Sequence, residues 1–119
     1  MTSINKADRN VLKMNVSTKT SAYTMTSLDG VILADSTSAA FQIILPEAAE
    51  VIGQIFTIIL IKDGGDLTVI PAGDDKLDAS DNVLATFADV EDCLEFIAIS
   101  ADRWLILTNI GAVVLSTPI

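Results

Sequence analysis

From Ala22 onward the chain is written in short aliphatic and β-branched runs, each closed by Gly, Pro, Asp, Asn or Ser. Tyr23-Thr24-Met25-Thr26 precedes the turn Leu28-Asp29-Gly30, and Val31-Ile32-Leu33-Ala34 is closed by Asp35-Ser36-Thr37-Ser38. Phe41 to Leu45 stops at Pro46, which lacks the backbone donor a strand interior needs. Glu47 to Ile52 has room for one helical turn before Gly53. Gln54 to Lys62 is the strongest strand, and Asp63-Gly64-Gly65-Asp66 reads as a hairpin turn into Leu67 to Ile70. Val83 to Phe87 is a further short strand, and Cys93 to Ser100 with Trp104 to Thr108 reads as a hairpin turned at Ala101-Asp102-Arg103. Gly111 to Leu115 is a last strand or an extended tail. No run of helical period competes, so the expected fold is all-β: a compact antiparallel β-sandwich or barrel of about eight short strands.

In Ile55-Phe56-Thr57-Ile58-Ile59-Leu60-Ile61 both alternating faces are apolar, whereas a strand with one solvated face alternates cleanly. Two explanations stand: a central strand covered on both sides within one subunit, or one face packed against a symmetry mate. Half the chain is hydrophobic, more than a small monomer hides easily. The reading therefore favours an interface between subunits, assigned to Phe56, Ile58 and Leu60, with Val113 and Leu115 from an uncharged tail.

Charge divides the chain in two. Residues 1–20 hold Lys6, Arg9, Lys13 and Lys19 against Asp8, a net of +3; the remainder holds three basic residues against fifteen acids, −12, and the sum is −9. The expected domain plan is an extended arm over residues 1–21 and a β-body over 22–119. The arm's polar composition orders against a partner rather than alone, and Ile4, Lys6, Arg9, Val11, Leu12, Lys13, Val16 and Lys19 are its candidate anchoring residues. An acidic body repels phosphate, so neither nucleic acid nor an anionic membrane is an expected partner. The polar opening does not read as a secretory leader, and no apolar run approaches the length of a bilayer span.

The chain contains no histidine, which removes Ser-His-Asp and Cys-His catalysis and the usual zinc sites. Cys93, the single cysteine, stands between Asp92 and Glu95, a setting that disfavours a thiolate. Gly64-Gly65 is flanked by aspartates and cannot cradle phosphate. Asp74, Asp75, Asp78 and Asp81 lack the spacing of a calcium loop and read as a solvated face. A glycosidase or a sugar-binding module needs aromatic platforms, and one Trp and one Tyr supply few. Neither an enzyme nor a cofactor is expected.

Several steps recur together: Tyr23-Thr24-Met25-Thr26, Asp29-Gly30-Val31-Ile32, Leu45-Pro46-Glu47-Ala48, Gly53 before a strand, Pro71-Ala72-Gly73-Asp74, and a final hairpin with Phe96, Ser100 and Trp104. This combination, over residues 22–108, resembles the small β-domain of bacteriophage virion proteins, found in tail fibres and in capsid decoration (cement) proteins. Asp78-Ala79 and Ala101-Asp102 stand where that family often has glycine. The resemblance implies a virion structural protein, commonly a homotrimer, with no catalytic residues. One β-domain with a cationic arm suits a decoration protein on the capsid's outer surface, bound to the major capsid protein and assembled in the host cytoplasm. A tail, baseplate or receptor-binding component is the alternative, and a carbohydrate-binding module the second.

Overall fold

A computed structural model describes residues 14–117 of the chain. Ten strands follow one another: β1 (Val16–Lys19), β2 (Tyr23–Thr24), β3 (Val31–Asp35), β4 (Phe41–Ile44), β5 (Ile55–Lys62), β6 (Leu67–Ile70), β7 (Leu84–Phe87), β8 (Cys93–Ser100), β9 (Arg103–Ile110) and β10 (Val114–Ser116). A single 3-10 turn, Ala48–Glu50, fills the expected place between β4 and β5. The strands form two five-stranded sheets, sheet I in the order β1-β3-β5-β8-β9 and sheet II in the order β10-β7-β6-β4-β2.

Both sheets are mixed, not antiparallel. From β1 to β6 the chain alternates between them, so each strand re-enters its sheet after a visit to the other and lies parallel to its predecessor: β1–β3–β5 in sheet I, β2–β4–β6 in sheet II. Pairing turns antiparallel at β5–β8, β8–β9, β6–β7 and β7–β10. The segment Asp63-Gly64-Gly65-Asp66 is accordingly no hairpin; it carries the chain from β5 in sheet I to β6 in sheet II. Its glycines answer a packing demand. A side chain at Gly64 would strike the Thr37 backbone, and one at Gly65 would lie 2.7 Å from the Ala40 nitrogen. The preceding crossing, after β3, is stacked on this one through buried Ser36. Its hydroxyl donates to the Gly65 carbonyl at 2.6 Å and accepts from the Gly64 N–H at 3.3 Å.

Strand alternation decides which side chains meet between the sheets. Sheet I turns Ile32, Ala34, Phe56, Ile58, Leu60, Leu94, Phe96, Ala98 and Trp104 inward; sheet II contributes Ile43, Leu67, Val69, Ala85 and Phe87. Each large aliphatic or aromatic side chain buried this way contributes about 1.5–3 kcal/mol by leaving water. At the centre Trp104 stands edge-on to Phe56 and Phe96, with ring centroids 5.7 and 5.3 Å away.

This corrects the expected subunit interface. Phe56, Ile58 and Leu60 are fully covered by the chain's own second sheet, and Val113 is 4% exposed. Leu115 packs against the same core from β10. These residues hold one subunit together. The arm boundary shifts too: Val16–Lys19, placed in the arm, form the edge strand β1, paired in parallel with β3 from Val16↔Val31 to Lys19↔Ala34.

Candidate interaction surface

Both sheets turn some aliphatic residues outward, over different extents. On sheet II one outward row runs Gln42, Thr68, Thr86 and Val114 across β4, β6, β7 and β10. Apart from Val114 that row is polar, whereas the next outward positions, Thr24, Ile44, Ile70, Leu84 and Ser116, are aliphatic at their centre. On sheet I the residues between the inward ones are aliphatic over most of the sheet. One row joins Leu33, Ile59, Cys93 and Ile110, and a second joins Ile55, Ile97 and Leu105. Between them runs a mixed row of Val16, Val31, Thr57, Glu95 and Thr108.

Two register shifts in the β8–β9 ladder leave Ile99 and Leu107 without ladder partners, and both are exposed. Ile110, at 56%, and Leu105, at 44%, are exposed as well. Together these residues make an aliphatic field over β3, β5, β8 and β9, with Thr18 of β1 ending the first row.

Glu95 is the carboxylate of the mixed row, and the Thr108 hydroxyl donates to its Oε1 at 3.4 Å. Two residues along β8, the Cys93 thiol is pushed above its ordinary range by burial first and by the Glu95 charge second. It is a half-buried, protonated thiol on an apolar sheet, not an activated nucleophile. Basic groups sit at the margin. Lys19 Nζ lies 3.9 Å from the centroid of the Tyr23 ring, and Arg103 pairs with Asp81 at 2.7 Å. The Tyr23 hydroxyl donates to Asp29 Oδ2 at 2.8 Å; burial, that hydrogen bond and the Asp29 charge hold its pKa above the ordinary value.

The acid-rich segment 74–82 is occupied with structural hydrogen bonds. Asp75 accepts from the Ala48 N–H at 2.9 Å, and Asp78 accepts from the backbone of Ser80 and Asn82 and from the Asn82 amide. Among the described residues no three His, Cys, Asp or Glu side chains come together as a metal site. An open recess of about 350 Å³ lies at one end of sheet I, bordered by Met14, Leu28, Gln54 and Ile55. The polar groups there are engaged, the Gln54 amide donating to the Ser27 carbonyl at 2.8 Å.

Of the expected arm residues, Ile4, Lys6, Arg9, Val11, Leu12 and Lys13 lie outside the described residues. Val16 opens the mixed row of sheet I and is 54% exposed, while Lys19 closes β1. The sequence reading missed Ile55, Ile97, Leu105 and Ile110. Their parity becomes legible only from the register with β8, which sets Phe56 against Phe96.

No family model matches the chain, and no curated protein matches it in sequence.

Proposed function

We propose that this chain is a structural protein of a bacteriophage virion, a capsid decoration protein that associates with copies of itself as a homotrimer and binds the outer shell, anchored by its N-terminal residues. The observation that supports this most is the aliphatic outward field of sheet I, which runs over β3, β5, β8 and β9 and leaves Leu105, Leu107 and Ile110 exposed. A field of this kind is suited to being covered by another protein surface. The charge split adds to this, because a cationic leading segment on an acidic body gives register and steering on a shell of opposite sign. The sugar-binding alternative loses support here. Trp104 is fully buried, and the Tyr23 ring is covered by Lys19, so neither offers a free platform.

The test is co-sedimentation with shells assembled from the major capsid protein of the same phage. The full chain is expected to bind and to raise the melting temperature of the shell. A version lacking residues 1–13, which keeps all ten strands, is expected to lose that binding while remaining folded. A full chain that ignores shells but is found in tail fractions of disrupted particles would overturn the decoration reading in favour of a tail component.

A further inference from the structure

We infer that a second copy of this chain covers the outward face of sheet I, burying the rows around Ile59 and Ile97 with Glu95 near the centre of the contact. This rests on the reading of the chain as a self-associating structural protein, but a face that packs on its own copy closes at two, so the unit is a dimer in place of the trimer of that reading. The contact lies on the opposite side of β5 from the residues that the sequence pattern suggests.

Size is the first argument. Strands of four, five, eight, eight and eight residues, at about 3.3 Å per residue and about 4.8 Å per strand, give a field on the order of 520 Å². Two such fields in contact bury on the order of 1,000 Å², the lower bound for a specific interface. A single extended segment, residues 1–13 included, covers only about one or two strand widths of that field. A second sheet of the same width covers it all, as stacked sheets do at about 10 Å.

Charge is the second. The body beyond residue 20 carries fifteen acids, crowded into turns such as 63–66, 74–81 and 89–92. Two copies meeting there would bring like charges together. Across the three rows of sheet I, Glu95 is the lone charged side chain, so copies can approach through that face with little repulsion. Pairing through the β9 edge is the weaker geometry, because the irregularity at Leu107 interrupts the straight ladder another strand would need.

The experiment is sedimentation velocity on the full chain from low to high micromolar in about 0.15 M salt, where electrostatics beyond about 8 Å are screened. Wild type is expected to associate. Ile97→Glu and Leu105→Glu, each placing a new charge in the contact, are expected to weaken association at least about tenfold, and Thr86→Glu on sheet II to leave it unchanged. Glu95→Gln, which removes a buried charge and keeps the shape, is expected to tighten association by about tenfold. A discrete, reversible oligomer of defined mass distinguishes this tightening from the open-ended aggregation of a misfolded variant. A wild type that stays monomeric throughout overturns the inference, and so does association lost with Thr86→Glu but kept with Ile97→Glu and Leu105→Glu. Shell binding by a strictly monomeric chain would sink this inference alone. Self-association without shell binding would sink the decoration reading alone.

Discussion

Trp104 is fully buried, and its indole Nε1–H has no hydrogen-bond partner among the described residues. Replacing it with Phe therefore has two opposed effects. The smaller ring leaves a gap of roughly 35 Å³, which at about 24 cal/mol per Å³ costs about 0.8 kcal/mol, with about 1 kcal/mol more for lost apolar burial. Against this, the variant no longer buries an unsatisfied donor, a relief of about 1–3 kcal/mol. The edge-on contacts with Phe56 and Phe96 survive with a benzene ring in place of the indole. Trp104→Phe is thus expected to fall within about 1 kcal/mol of wild type, whereas Trp104→Ala, with nothing to offset its cavity, should lose about 3–5 kcal/mol. The assay is urea unfolding followed by far-UV circular dichroism, since the chain has a single Trp and fluorescence disappears with it. It should be run at one low protein concentration, because association stabilises by mass action. A loss of more than about 2 kcal/mol in Trp104→Phe would refute the reasoning and mean that the indole N–H is satisfied in solution.

Three further outcomes are expected. Gly111 sits at φ +85° with the Asp92 carboxylate where a Cβ would go, and that carboxylate accepts the Ala88 and Asp89 N–H groups. Gly111→Ala should cost about 2 kcal/mol or more, while Gly53→Ala, at φ +87° with open space around it, should cost about 1 kcal/mol; thermal unfolding separates them. Because the folded state holds the Tyr23 proton more tightly than the unfolded chain, its contribution is complete below pH 10 and is lost as pH rises through the higher folded value. Wild type should therefore lose stability relative to Tyr23→Phe above pH 10, read from urea midpoints between pH 8 and 11. The Cys93 thiol, raised by burial and by Glu95, should react with iodoacetamide at pH 8 at least about tenfold more slowly than in urea.

The strand runs were legible because their punctuation is chemical. Pro46 ends β4, Ala101-Asp102 turns β8 into β9, and Gly53 precedes β5. Trp104, in the apolar β8–β9 hairpin, lies in the core. Connectivity was not legible, because Asp-Gly-Gly-Asp suits a tight hairpin and a sheet-to-sheet crossing equally. What distinguishes them is the close approach of Thr37 and Ala40, residues more than twenty positions earlier. The doubly apolar character of β5 was read correctly, yet the face given to a subunit interface is the one that faces the chain's own core. Composition cannot tell Phe56, Ile58 and Leu60 from Ile55, Ile59 and Ile61. The register with β8, which sets Phe56 against Phe96, does so at once. β1 was invisible because Val16-Ser17-Thr18-Lys19 has little apolar content, and it becomes a strand through its parallel ladder with β3.

The alternation of β1 to β6 between the sheets makes the first half of the molecule a coil wound around its own core, each winding laying one strand in either sheet. The register of each winding rests on the one beside it, and the later antiparallel strands close only one side of the stack. A whole winding is then the natural quantum of change. Gain or loss of one at the β1–β2 end would lengthen or shorten both sheets together and keep their inward and outward parities, whereas a single-residue insertion inside a strand would turn the core out.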